Sequence, residues 1–184
     1  MVLSITRKER ASIFLGNLKI GGDAPIAVQS MTCTDTRDIR ATLAQIRALE
    51  IAGCEAVRVA VPDREAAGGL AEIKRKIQIP LIADIHFDHR LALKAIAAGV
   101  EGVRINPGNM GKAGIREIVK AAKERDTVIR IGVNAGSLEK DILARQGGLR
   151  RLPLWKVLCG TLPSWKTWIL PTSSFLLSLL MLPQ

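Results

Sequence analysis

The 184-residue chain carries a formal net charge of +10 and is 48% hydrophobic, enough apolar content for one globular domain with a real core, which excludes disorder as its main state. The charge is poorly distributed for a nucleic-acid partner: beyond Asp141 there is no acidic residue, while Arg145, Arg150, Arg151, Lys156 and Lys166 supply half of the net excess. Upstream, bases and acids alternate along helical segments, as in Arg64, Glu65, Glu72, Lys74 and Arg75, which is the pattern of a solvated surface.

The first residues, MVLSITRKER, hold no apolar run and read as no secretory leader. Cys33, Cys54 and Cys159 are odd in number and widely spaced, so a reduced, cytoplasmic setting is expected. No CxxC or Cys/His cluster predicts a metal site. From 26 onward, short apolar runs alternate with amphipathic segments. Strands are expected at 26–30, 56–61, 81–84, 102–105 and 128–133, and helices at about 38–52, 64–76, 89–98 and 114–125. Leu43, Ile46, Leu49 and Ile51 carry the helical spacing of the first. Asp38 and Asp63 are read as N-terminal caps, and Gly53 and Gly99 as left-handed C-terminal stops.

One strand per helix predicts a parallel α/β sheet, either an open doubly wound sheet or a TIM (β/α)8-type barrel. No GxGxxG follows the first strand, which weighs against the nucleotide-binding open sheet. The expected architecture is therefore a partial barrel of about five strand–helix units. An irregular tail follows from 145 to 184, where all three Trp, four of the eight Pro and no acids fall. The apolar stretch Ile169 to Pro183 is broken by Pro171 and is shorter than the roughly 20 residues a membrane-spanning helix needs, so no membrane association is expected.

The tail reads either as a divergent extension or as a shifted reading frame. Trp has the single codon TGG, so a frame starting one base earlier turns Trp155-Lys156 and Trp165-Lys166 each into Glu, and Trp168-Ile169 into Asp. Acidic residues thus return where the sequence had lost them.

Barrel active sites form at the C-terminal ends of the strands, and here those ends are polar: VQSMT, VRVAVPD, ADIHFDHR, VRINPGN and RIGVNAGSLEKD. Arg58, Arg104 and Arg130 lie in or beside apolar strands, where an unpaired buried charge is costly. Converging on one mouth, they would suit a diphosphate; the alternative is pairing with Asp84, Glu55 or Glu101. Asn106 and Asn134, each at a strand end, could meet hydroxyl or phosphate oxygens, or cap loops as Asx turns. The glycines of NPGN and NAGS would permit backbone approach to an anion. Asp84, His86, Asp88 and His89 form the densest titratable cluster. Asp84 and His86 share one face of an extended segment, whereas His89 starts the next helix, which argues against a two-His, one-carboxylate metal site. His86 stands open between a ligand contact and a buried structural role, and His89 is read as a surface helix cap.

In order and spacing, VQSMT, VRVAVP, ADIHFD, RINPGN and IRIGVNAGSLEKD resemble the N-terminal substrate-binding barrel of the 4-hydroxy-3-methylbut-2-enyl diphosphate synthase family, over about residues 3–143. The resemblance implies an oxidoreductase of non-mevalonate isoprenoid biosynthesis. Its substrate is 2-C-methyl-D-erythritol 2,4-cyclodiphosphate, and its electrons come from a [4Fe–4S] cluster fed by flavodoxin or ferredoxin, usually in a homodimer. It further implies that Arg58, Arg104 and Arg130 grip the diphosphate, with Asp84, His86, Asn106 and Asn134 lining the same mouth. On this reading 1–144 is the N-terminal part of the substrate-binding barrel, and 145–184 an aberrant, frameshifted tail. None of the cysteines matches a cluster ligand, no catalytic residue is assigned, and the chain as written is expected to be inactive. The rivals are a pterin-binding, dihydropteroate synthase-like barrel, a non-functional truncated remnant and a basic binding module.

Overall fold

The structure, a computed structural model, describes residues 12–133 and the backbone of a strand at 175–179. Two short antiparallel strands, β1 (Ser12–Leu15) and β2 (Leu18–Gly21), open it. They form a hairpin whose two-residue turn is Gly16-Asn17, with Leu15 opposite Leu18. Gly16 takes a φ of 60° and Asn17 does not take a positive one, the pattern of a type II′ turn. This hairpin was not expected from the sequence. Its signal, a Gly-Asn pair between the apolar runs SIFL and LKIG, is present.

The main sheet is parallel. It contains β3 (Gln29–Met31), β4 (Ala56–Ala60), β5 (Leu81–Ile85), β6 (Gly102–Ile105), β7 (Val128–Val133) and β8 (Phe175–Leu179), hydrogen-bonded in that order. Helices α1 (Ile39–Ile51), α2 (Arg64–Arg75), α3 (His89–Ala97) and α4 (Lys112–Glu124) connect β3 through β7. The five expected strands and four expected helices are thus all found in order. The first strand is shorter and later than expected, although Val28 O still accepts from Glu55 N and Ala56 N. The strand β8, which pairs with β7 from Ile129↔Phe175 to Val133↔Leu179, lies in the segment expected to be irregular. Its run FLLSL is apolar enough to extend a sheet, but in so short a run periodicity alone does not separate strand from helix. Among the described residues the outer strands β3 and β8 are not paired with each other, so the sheet is an open arc of a barrel.

Side-chain alternation divides the sheet into two faces. Val57, Val59, Leu81, Ala83, Ile85, Val103, Ile105, Ile129 and Ile131 point toward the helices and join one buried core with them. The helices answer at three- and four-residue spacing, as Ala66, Leu70 and Ile73 do from α2. Asp38 and Asp63 cap α1 and α2 as expected, their carboxylates accepting from Ala41 N and Ala66 N. Gly53 and Gly99 stand at φ of 87° and 86° behind α1 and α3. The cap of α3 is Asp88, which accepts from Arg90 N; His89, read as the cap, is the first helical residue.

The other face looks into the barrel. Its lower end is apolar: Ile13 and Leu15 of the hairpin bury against Ala56, Ile82 and Val128. The hairpin therefore plugs the end where the strands begin. What remains between plug and sheet is a cavity of about 480 Å³ that reaches up to Gln29 and Arg130.

Candidate functional site

At the other end of the inner face, strand register lines up a row of charges. Ala60 is opposite Asp84, Asp84 opposite Arg104, and Arg104 opposite Arg130, so adjacent parallel strands deliver these side chains at one height. Arg58 enters one step lower, beside Met31. All belong to the inner set because they alternate with the core-facing valines and isoleucines.

Asp84 is the pivot, with only 3% of its side chain exposed. Its Oδ1 accepts from Arg104 Nη1 at 3.0 Å, and its Oδ2 lies 3.3 Å from Arg58 Nε. The alternative pairing foreseen for the arginines is thus half realised: Asp84 binds two of them. Glu55 instead accepts from Val28 N, and Glu101 pairs with Lys74 and accepts from Leu81 N. Among the described residues, Asp84 is the carboxylate shared where Arg58, Arg104 and Arg130 gather. At Arg130, burial first of all pushes the pKa down from the ordinary value, the charges of Arg58 and Arg104 push the same way, and Asp84 opposes them.

His86 lies two residues beyond Asp84 on the same face. Its Nε2 is 3.3 Å from Asp84 Oδ1 and 3.1 Å from Arg104 Nη1. One nitrogen cannot serve both partners: toward the carboxylate it must carry a proton, toward the guanidinium it must be bare. Nε2 can therefore bond only one of the two at a time. With 45% of its side chain exposed, it is at the mouth and not a buried structural histidine.

Asn106 is buried at the end of β6. In the adjoining NPGN segment, Pro107–Asn109 is a single 3-10 turn, with Asn109 N and Met110 N donating to Asn106 O and Pro107 O. Asn134 and the glycines of NAGS lie outside the described residues. His89 turns away, its Nε2 3.7 Å from Glu117 of α4, so the separation of His89 from Asp84 and His86 expected from sequence is found. Among the described residues no group of three or more metal-ligating side chains gathers.

Three contributors were not anticipated from the sequence. Gln29 Oε1 accepts from Arg130 Nη1 at 2.7 Å, and Met31 Sδ lies 3.0 Å from Arg58 Nη2. Gly132 lies under the Arg104 side chain. Period-two alternation through VQSMT and VIRIGV puts all three on the arginine face, which was the available signal.

The two described cysteines do not come together, and Cys159 lies outside the described residues. Cys33 follows the end of β3, whereas Cys54 precedes β4, which places them at opposite ends of parallel strands. Cys54 is buried with its thiol donating to Ala56 O at 2.9 Å. Among the described residues no helix is long and apolar enough to cross a membrane.

Comparison with known proteins adds the lineage. The GcpE TIM-barrel domain family matches residues 10–159. A 4-hydroxy-3-methylbut-2-en-1-yl diphosphate synthase (flavodoxin) of Dehalococcoides mccartyi is 60% identical over 139 residues, covering 75% of this chain and 40% of the relative. Those of Thermodesulfovibrio yellowstonii and Pseudomonas paraeruginosa are 59% and 56% identical over 144 residues, covering 78% of this chain and 41% and 39% of theirs. This chain thus spans about 40% of the length of the curated relatives it matches. Among solved structures, dihydropteroate synthases of Vibrio fischeri and Yersinia pestis align with TM-scores of 0.65 and 0.63, each over 91% of this chain and over 66% and 62% of theirs, at 11% identity. That likeness is one of fold and gives the pterin-binding alternative no chemical support. A positively charged strand-end mouth, the family match and identity near 60% converge on one statement: the chain belongs to the GcpE TIM-barrel family, whose matched relatives are 4-hydroxy-3-methylbut-2-en-1-yl diphosphate synthases.

Proposed function

We propose that the barrel part of the chain, 1–144, carries the diphosphate-binding half of such a synthase, and that its ligand is 2-C-methyl-D-erythritol 2,4-cyclodiphosphate. The observation that carries this reading is the convergence, among the described residues, of Arg58, Arg104 and Arg130 on the buried carboxylate of Asp84. Guanidinium pairs with phosphate in a charge-assisted, bidentate geometry, so a diphosphate entering the mouth would balance the positive excess that Asp84 only partly offsets. In this reading Arg58, Arg104 and Arg130 hold phosphate oxygens, and Asn106 and Asn134 meet hydroxyl or phosphate oxygens. His86 takes or gives the hydrogen bond that the anion leaves open, and Asp84 fixes the arginines.

In the whole enzyme the reaction is a two-electron reductive ring opening to the hydroxymethylbutenyl diphosphate. A [4Fe–4S] cluster would supply the electrons, fed by flavodoxin or ferredoxin, in a cytoplasmic homodimer. The part we assign to the barrel residues is to bind and orient the substrate. We further divide the chain into a barrel part, 1–144, and a tail, 145–184, read in a shifted frame. Resequencing across the codons for Leu143 to Trp155 checks it, and an intact frame through Gln184 removes the shift.

Titrating inorganic pyrophosphate, then the cyclodiphosphate, into the full 184-residue chain tests the binding reading. Saturable binding that weakens with salt is expected, with each Arg→Ala change lowering affinity by about 10-fold or more. Heat that does not saturate, or affinity indifferent to all three arginines, refutes it. A cooperative thermal transition in the same preparation separates a folded half-barrel from a non-functional remnant.

A further inference from the structure

Gly132 lies within β7, where a glycine weakens a strand and offers no side chain to pack. Its φ is not in the left-handed region, so the backbone there does not require glycine. A turn or strain therefore does not explain it; space does. A Cβ added at Gly132 would run into the Nε, Nη2 and Cζ atoms of Arg104, the last at 2.6 Å.

The need for that space comes from register. Arg104 and Arg130 are direct partners on adjacent strands and project from the same face, which sets two positive side chains next to each other. Arg130 is tied toward β3 through Gln29, whose Oε1 accepts from its Nη1 at 2.7 Å. Arg104 reaches the other way with its head, to Asp84 at 3.0 Å and His86 at 3.1 Å. It does so with its Nε and Cζ resting over the bare Cα of Gly132. An alanine there meets the movable end of a long side chain, so the strand can persist while the guanidinium leaves.

We propose that Gly132 is a positioning residue of the anion site: by lacking a side chain it seats the Arg104 guanidinium at Asp84 and His86, ready for a phosphate oxygen. This rests on the anion-site reading above and extends it to a residue that touches no ligand.

The test is a double-mutant cycle on pyrophosphate affinity, measured by titration calorimetry in the full chain, with thermal melts of every variant. Arg104→Ala is expected to weaken binding about 10-fold or more, and Gly132→Ala by a similar factor. Because both changes remove the same seated guanidinium, the double variant should bind no worse than Arg104→Ala alone; independent effects would multiply to about 100-fold. Multiplicative losses, or a Gly132→Ala variant that binds like the parent, overturn the proposal while leaving the anion site standing. If Arg104→Ala itself changes nothing, the anion-site reading has failed first and this one with it. Should Gly132→Ala not fold, a double variant that folds and binds like Arg104→Ala confirms that the space belongs to Arg104. A double variant that also fails to fold overturns the proposal, since the glycine then serves the backbone.

Discussion

The two ends of the same parallel strands are built on opposite principles. Where the strands begin, Ile13 and Leu15 of the hairpin close against Ala56, Ile82 and Val128 in an apolar cluster. Where they end, Arg58, Arg104 and Arg130 gather with His86 around Asp84. The lesson is a division of labour along one strand: the first residues are chosen for burial, and those two to four positions later for charge. Stability should therefore be lost without binding at one end, and the two should be entangled at the other.

Asp84→Asn is expected to have the largest effect. It leaves two guanidiniums without their shared counter-charge in a site only 3% exposed at the carboxylate, and removing one member of such a buried pair costs about 3–5 kcal/mol. Urea unfolding measures it, and added phosphate should recover more stability in the variant than in the parent, because an anion then replaces the missing charge. Equal phosphate effects in both would mean that the mouth does not bind anions through these arginines.

At the opposite end, Leu15→Ala, which empties a site 3% exposed, should cost about 3 kcal/mol by the same assay. Its pyrophosphate affinity should stay within about 2-fold of the parent, given how little a well-separated site couples. A large loss of affinity would show that the hairpin shapes the mouth as well as the floor.

A smaller change comes from Asp38→Ala, which removes the acceptor for Ala41 N at the start of α1 and should lower stability by about 1 kcal/mol in the urea assay.

The smallest effect is a pH dependence at the strand-end side of the molecule. Hydrogen bonding to Arg37 lowers the Asp35 carboxyl from 3.8 to about 2. A depressed folded-state pKa means that the folded chain binds fewer protons, so the contribution is full above pH 3.8 and disappears as pH falls toward about 2. Asp35→Asn should flatten that window of the acid-unfolding profile and leave it unchanged above, which a pH series of urea midpoints reads directly.

Much of this was legible in the residues themselves. Leu43 with Ile46, or Ala66 with Leu70 and Ile73, repeat at helical spacing and proved to face the sheet, while Asp38 and Asp63 capped where their short acceptor side chains said they would. The arginines stood out because charge is improbable inside an apolar strand. Three features were not legible in that way: the hairpin, because the Gly-Asn turn joins strands of only four residues; the capping by Asp88 and not His89; and the strand Phe175–Leu179.

By itself, the sequence determined the alternation of strand and helix, the parallel sheet and the gathering of charge at strand ends, because these follow from local periodicity and from the cost of burying an unpaired ion. Only the tertiary structure decided who shares Asp84, that Gln29 steadies Arg130, and that Gly132 makes room for Arg104. Those relations depend on strand register, which matches residues far apart in the chain, and a one-residue slip would send every one of them to the other face.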